Sequence, residues 1–322
     1  MEFKKILVIN GHSIGDVILT TPVLKMLKDR FPDSKLLFLV KPEIKVLMER
    51  LSFIDEIICY KKGMPIFPVL KKIWKSDVAI CLDERYRSAL LPFFACIPRR
   101  VGLKNKRKLF LTNYTDFLGN EDNIYESLNF VNIINRTLNL NLSGNYKKLY
   151  ISEANREEKI KVNNLFQSLD KNKKVLAVAP FSSSVEKDWP LDSYKILFRT
   201  LNKNKEYQFV ILGTEEDRKK GSIEGNDIHD WRALTSLVET GEILRRVDCF
   251  LGGCSGPLHI AAAMNTPKVA LYGPSSYHRW APIENTIVVQ AQKGSQVSDK
   301  MENIKIEWVL EACKNVLGQS YI

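Results

Sequence analysis

A rhythm constrains this chain more than any single residue does. Short apolar runs alternate with segments whose apolar residues recur at helical spacing, and the alternation runs, breaks and runs again. "KILVIN" reads as a strand and "IGDVILTTPVLKMLKDRF" as a helix. "KLLFLV", "EIKVLMERL", "DEIICY", a helix through residues 65–75 and "DVAICLD" continue the series. "SALLPFFACI" is apolar, "RRVGL" is short and strand-like, and "IYESLNFVNIINRTLNL" closes this half as a helix. Strands separated by helices at this spacing imply parallel βα units, and their apolar character suits a sheet covered on both faces.

The break falls at "NLSGNYKKLYISEANREEK", which is polar, contains Ser-Gly-Asn and reads as a linker. The rhythm resumes with "KVLAVAP", "LDSYKILFRTLN", "YQFVILG", "EEDRKKGSI", "LTSLVETGEILRRV", "DCFLGG", "GPLHIAAAM" and "KVALYG", and "IKIEWVLEACKNVL" ends it as an amphipathic helix. At 322 residues the chain exceeds what one core usually serves. The expectation is an α/β fold with two Rossmann-like domains, residues 1–152 and 153–322, facing across a cleft, the last helix free to pack back on the first domain. Open parallel sheets bind ligands at the carboxyl ends of their strands. The loops after strands are therefore the places to search.

Charge divides the halves. Of the net +11, residues 1–150 hold 25 Lys and Arg against 15 Asp and Glu, while residues 151–322 hold 23 against 22. The excess peaks in "PRRVGLKNKRK", Pro98 to Lys108, with six basic residues. A basic half points to an anionic partner. No zinc-finger spacing or RNP-like aromatic run supports nucleic acid, so none is expected. The longest apolar runs fall short of a membrane span, and the first residues lack a secretory pattern, so a cytoplasmic protein is expected. The six cysteines show no C-x-x-C spacing and read as reduced, structural thiols.

Four loops carry unusual residues. "NGHSIGDVILTTP" places Asp16 in a helix's first turn, where it serves either the helix dipole or as a general base, and His12 and Ser13 lie beside it. "APFSSSVEKDWP" offers Ser182, Ser183 and Lys187 as a phosphate cradle or simply as a hydrophilic loop. "ILGTEEDRKK" sets Glu215 and Glu216 where a ribose hydroxyl could be met, or where surface glutamates favour a helix start. In "DCFLGGCSGPLHIAAAM", small residues lead into a helix opened by Pro257, so unpaired N–H groups face outward at its positive end.

Taken in series these stretches resemble glycosyltransferase family 9, the ADP-heptose:lipopolysaccharide heptosyltransferases. The resemblance runs through Ser13 to Pro22 ("SIGDVILTTP"), Arg99 to Gly102 ("RRVG"), Lys187 ahead of Trp189-Pro190, and Ser255 through His259 and Pro267 to Pro274, spanning nearly the whole chain in order. It implies a GT-B architecture, with the acceptor on the N-terminal domain and a nucleotide-sugar on the C-terminal one. It gives Asp16 the role of catalytic base and Lys187 that of diphosphate ligand. It implies donor contacts from Ser182, Ser183, Glu215, Glu216, Cys254, Ser255, Gly256, Pro257, Leu258 and His259. Acceptor contacts fall to His12, Ser13, Arg99, Arg100 and Lys104. Two positions depart from the family: Cys254 stands where aspartate is usual, and Asn10 where Arg or Lys is usual.

The implied activity is inverting transfer of heptose from ADP-heptose to an anionic inner-core glycolipid, at the inner leaflet of a membrane that the protein meets peripherally. The chain contains no Asp-x-Asp, so no metal or other cofactor is expected and positive protein groups would stabilise the leaving diphosphate. The departures keep other readings open: a weak or inactive nucleotide-sugar-binding homologue, a transferase using another donor, or a nucleotide-sugar epimerase.

Overall fold

The computed structural model describes residues 2–116 and 123–318. The chain divides into two units, Met1–Ser152 and Glu153–Ile322.

In the first unit, six parallel strands lie in the order β3-β2-β1-β4-β5-β6: β1 (Lys5–Ile9), β2 (Lys35–Val40), β3 (Glu56–Cys59), β4 (Val78–Cys81), β5 (Arg99–Leu103) and β6 (Asn113–Thr115). The direction of winding reverses between β1 and β4, so the loops leaving these two strands splay apart there. The helices are α1 (Ile14–Arg30), α2 (Lys45–Met48), α3 (Phe67–Ile73), α4 (Tyr86–Phe94) and α5 (Glu126–Leu138).

Pro68 lies in the first turn of α3, where no N–H is missed, while α1 and α4 carry proline further in and the fold repairs both. Pro22 in α1 offers no N–H to Ile18, and the Thr21 hydroxyl donates to that carbonyl instead, at 2.7 Å. Pro92 in α4 leaves the Ser88 carbonyl unserved, and the Cys81 thiol reaches across from β4 to donate to it at 3.1 Å. Burial pushes the Cys81 thiol up to about 12, which keeps its proton in place for that bond.

The second unit repeats the plan. Its strands run β12-β11-β10-β7-β8-β9: β7 (Lys174–Ala179), β8 (Tyr207–Ile211), β9 (Ile228–Asp230), β10 (Cys249–Gly253), β11 (Lys268–Tyr272) and β12 (Thr286–Gln290), all parallel. Its winding reverses between β7 and β10. The helices are α6 (Arg156–Phe166), α7 (Leu191–Leu201), α8 (Glu215–Arg218), α9 (Leu237–Leu244), α10 (Gly256–Ala263), α11 (Tyr277–Trp280) and α12 (Ile306–Gly318), and a small hairpin pairs β13 (Gln292–Lys293) with β14 (Gln296–Val297).

Several features differ from the sequence reading, among them the edge strand β12, which it passed over. Helix α6 begins inside the stretch read as linker; an Asn155–Glu158 capping box starts it, and Val162 alone of its residues is buried, so it shows no apolar stripe. The three-residue edge strands β6 and β9 are too short to register as periodic. Helix α12 lies on its own unit: Val309, Ala312, Cys313 and Val316 enter the core with Val269 and Leu271 of β11. The amphipathic stripe meets an apolar sheet face beside it, and that burial fixes its place.

Candidate functional site

In the second unit the site starts from glycine. Gly252 pairs with Ala179 across the β10–β7 ladder, and a Cβ on it would lie 3.1 Å from the Ala179 carbonyl oxygen. A Cβ on Gly253 would lie 2.9 Å from the carbonyl oxygen of Lys187. The absence of side chains at the end of β10 thus lets the loop after β7 rest on it. Two loops distant in sequence, one carrying Lys187 and one leading into α10, are in this way held together at the switch point.

The loop after β7 has a rigid base. Trp189 is buried, donates from Nε1 to the Ile304 carbonyl at 3.1 Å and meets Tyr194 edge to face at 4.8 Å. Asp188 accepts from the Ser182 backbone N–H at 2.7 Å; burial raises its carboxyl above the ordinary range. Lys220 closes the loop, donating to the Ser182 carbonyl at 2.5 Å and lying 3.7 Å from Asp188. Lys187 ends a 3-10 turn, half-buried, and among the described residues its ammonium has no ion-pair partner.

Helix α10 opens beside it. Ser255 is its N-cap, but the hydroxyl donates back to the Gly253 carbonyl at 3.3 Å and does not cap. Pro257 sits in the first turn. Pro257 has no N–H to give and the Leu258 N–H donates to the Ser255 carbonyl at 3.2 Å, so the Gly256 N–H stands at the partial positive charge of this helix end without a cap from the Ser255 side chain. A pyrophosphate offers the oxygens such an end accepts.

The predicted donor residues separate on inspection. Lys187, Cys254, Ser255, Gly256, Pro257, Leu258 and His259 gather at this turn, with Cys254 half-buried and Leu258 and His259 buried. Ser182 is engaged within its own loop. Its hydroxyl donates to the Ser184 carbonyl at 2.7 Å and accepts from the Ser184 N–H at 3.2 Å, so it builds the loop, and Ser183 is the exposed member of the pair. Glu215 and Glu216 are exposed in the first turn of α8, which a Thr214–Asp217 capping box starts. Lys220 was not singled out from the sequence, where it reads as one of a run of surface charges. A concavity of about 540 Å³ lies elsewhere, lined by Phe198, Asn202, Asp227 and Ile228 ahead of β9, so volume does not mark the switch point.

The first unit's switch point is built from polar bonds. Asn10 is fully buried; its amide donates to the Thr20 hydroxyl at 2.8 Å and its oxygen accepts from the His12 N–H at 3.1 Å. The next N–H, of Gly11, donates to Asp83 at 2.6 Å. Asp83, just past β4, also accepts from the Arg85 N–H at 2.9 Å, and the Arg85 guanidinium donates to the Gly11 carbonyl. Behind them lies Arg107, entirely buried, 3.8 Å from Asp83 and donating to the carbonyls of Arg85 and Cys81 at 3.3 Å each. This frame sets where α1 begins. There Asp16 accepts from the Ser13 N–H at 3.2 Å and from the Ser13 hydroxyl, both through Oδ2. The aspartate therefore caps α1, and its Oδ1 is the oxygen that remains to take a proton.

The acceptor expectation also needs correction. His12 and Ser13 stand beside Asp16, and Lys104 lies beyond the end of β5, 3.1 Å from Asp116. Arg99 and Arg100, however, begin β5, level with Val78 at the start of β4, so they sit at the opposite end of the sheet from Asp16. Arg100 donates to the carbonyls of Phe110 and Ile97, and Arg99 lies over Phe3. The parallel register puts the first residues of a strand at the amino end, and no loop returns them. Arg107, from the same basic stretch, is the one whose side chain reaches the switch point. Asp83 was not singled out from the sequence; its signal there was an acid ending the apolar run "DVAICLD".

Known proteins resemble this chain in sequence and fold. A model of the family described as glycosyltransferase family 9 (heptosyltransferase) matches residues 67–308. The chain belongs to glycosyltransferase family 9. It is thus a glycosyltransferase, and the match takes in Lys187 and the α10 turn while Asp16 lies before it. Among curated relatives of this family 9 enzyme, lipopolysaccharide heptosyltransferase 2 of Escherichia coli (strain K12) is 28% identical over 295 residues, covering 84% of this chain and 83% of the relative. Lipooligosaccharide heptosyltransferase 2 of Haemophilus ducreyi is 26% identical over 314 residues, covering 88% of each. The solved family 9 glycosyltransferase from Veillonella parvula superposes with a TM-score of 0.84 at 22% identity, covering 99% of this chain and 98% of that one. E. coli ADP-heptose lps heptosyltransferase II superposes with a TM-score of 0.81 at 24% identity, covering 99% and 100%. At these identities the structures speak for the fold, which is GT-B. Among the described residues no helix is long and apolar enough to cross a membrane, and no group of three or more His, Cys, Asp or Glu gathers to hold a metal ion.

Proposed function

We propose that this family 9 glycosyltransferase moves heptose from ADP-heptose to an anionic lipopolysaccharide inner-core acceptor, with inversion and without a metal. One observation carries the reading: Lys187 and the uncapped start of α10 are held together at the second unit's switch point by the missing side chain of Gly253. A lysine whose backbone rests on the strand leading into a helix end suits a leaving diphosphate, on which charge grows as the glycosidic bond breaks. Asp16 takes the acceptor hydroxyl's proton on Oδ1 while Ser13 holds Oδ2. Relatives named as heptosyltransferases of lipopolysaccharide and lipooligosaccharide support the choice of sugar and acceptor. The solved E. coli ADP-heptose lps heptosyltransferase II and an E. coli heptosyltransferase with ADP, both similar in fold, support the nucleotide.

The acceptor is anionic and lipid-held on this reading, which fits peripheral attachment to the cytoplasmic face of the inner membrane and the basic balance of the first unit. The test is release of ADP on mixing ADP-heptose with a deacylated inner-core acceptor, run beside Asp16→Asn and with EDTA. Release that persists in EDTA and collapses in the variant is expected. Dependence on added Mg²⁺ overturns metal independence, and turnover only with another nucleotide-sugar overturns the donor. Cys254, a thiol where family members carry a carboxylate, favours a second reading of the donor sugar alone, since a thiol accepts sugar hydroxyls poorly.

A further inference from the structure

Thirteen large hydrophobic side chains are exposed among the described residues, and their distribution is uneven. Seven fall within residues 67–114, and six of those are aromatic; the six in the second unit are Ile, Leu or Val and are scattered. The same segment carries eleven Lys and Arg against three Asp and Glu, so it holds most of the first unit's positive excess. Aromatic exposure and basic charge therefore coincide in one stretch of chain.

They also coincide in space. Helices α3 and α4 cover the same face of the first sheet, burying Val69, Ile73, Ala89 and Leu91 beneath them. They pack on one another, and the 3-10 turn Lys108–Phe110 packs on α4. Phe93 joins the parts, meeting Phe94 at 5.7 Å and Phe110 at 5.4 Å. On the outer side Phe67 is 80% exposed, Trp74 57%, Phe94 58% and Leu109 81%. Lys71, Lys72, Lys75 and Lys108 are exposed among them, Lys75 lying over the Trp74 ring at 5.1 Å.

We propose that this face, formed by α3, α4 and the turn at Lys108–Phe110, docks the enzyme on an anionic lipid bilayer. Lysine-rich surfaces are disfavoured at the centre of protein interfaces. Aromatic rings interleaved with long basic side chains are instead what the headgroup region accepts: rings settle at the apolar boundary, and lysine stems reach past them to anionic groups. Each basic side chain near such a surface strengthens binding by about fivefold at moderate ionic strength. The purpose of the docking rests on the lipid-held acceptor proposed above; the face itself does not.

The test is sedimentation of the purified full chain with vesicles of phosphatidylcholine, with and without phosphatidylglycerol. Trp74→Ala, Phe94→Ala/Leu109→Ala and Lys71→Glu/Lys75→Glu are compared with the parent protein, with Lys203→Glu/Lys205→Glu as a charge-matched control on the second unit. All of these side chains but Lys203 and Lys205 lie on the proposed face and are exposed, and unfolding midpoints check each variant. Binding only to the anionic vesicles is expected, weakened at least tenfold by the Lys71/Lys75 pair and several-fold by either apolar change, with the control unaffected. A blue shift of tryptophan emission on binding, lost in Trp74→Phe, is expected because Trp74 is the exposed tryptophan of this surface. Equal binding by the face variants and the parent, equal binding to neutral vesicles, or a protein dimer that Phe94→Ala/Leu109→Ala dissolves, overturns the assignment. Loss of transfer to a deacylated acceptor with vesicle binding intact would refute the transferase reading and leave the face standing.

Discussion

At the switch between β1 and β4 the first unit gathers a buried arginine, two aspartates and a buried asparagine, nearly all of their polar atoms engaged. At the matching switch between β7 and β10 the second unit gathers glycines, a lysine without an ion-pair partner among the described residues, and a helix start that no side chain caps. The strand order around both switches is the same. One topology thus offers the same crevice twice, and residue choice makes one copy a rigid frame for a carboxylate and the other an opening for an anion. Hydrogen bonds in the first copy orient the Asp16 carboxylate through Oδ2, while the second presents a helix start that Ser255 does not cap beside the loop of Lys187.

The comparison can be broken most directly at Asp16. Asp16→Asn keeps an acceptor for the Ser13 N–H yet removes the base, so kcat is expected to fall roughly 10²- to 10⁴-fold with little change in donor binding. Unchanged kcat would make the residue a cap alone. Next comes the frame. Arg107→Met leaves Asp83 buried without its cation, and about 3–5 kcal/mol of stability should be lost by denaturant unfolding. The double variant Arg107→Met/Asp83→Leu should recover part of it; a loss under 1 kcal/mol in the single variant would show that Asp83 needs no counter-charge.

The second unit's opening is tested by Lys187→Ala, for which a barrier increase of roughly 2.7–4 kcal/mol is expected. Gly253→Ala should weaken ADP binding less, by displacing the Lys187 carbonyl that its Cβ would crowd. Wild-type ADP affinity in both would move the diphosphate elsewhere. The smallest effect lies away from either switch. Lys268 is fully buried at the start of β11, donating to the Glu284 and Asn285 carbonyls, and burial lowers its ammonium to about 8. Below that pH it is charged in both states. Between about 8 and its ordinary 10.5 the unfolded chain binds the proton and the folded chain does not, so stability from this residue rises with pH. Wild type should therefore gain on Lys268→Met in unfolding midpoint across that window; a constant difference would place the ammonium's pKa in its ordinary range.

The sequence made the fold legible where burial repeats. Strands such as "KLLFLV" and "KVALYG" and helices such as α7 and α12 follow from apolar period alone. Helix α6 did not, because a cap and not a stripe defines it, and the three-residue edge strands β6 and β9 were too short for period to act. At the site, the α10 turn was readable because glycine and proline have local consequences. Arg107 and Lys220 were not, since a buried cation and a surface cation look alike in a basic run until their partners, Asp83 and Asp188, are placed. Arg99 and Arg100 failed for the opposite reason: resemblance supplied the residues, but strand direction decided which end of the sheet they occupy.

The sulfur that stands in for the missing amide beneath Pro92 makes Cys81 a clock. While β4 and α4 stay joined, its proton is occupied and solvent is shut out, so alkylating reagents find nothing to attack. Each modification of that thiol must record one parting of strand from helix, and the pace of labelling would time the breathing of the very layer on which the aromatic face is mounted.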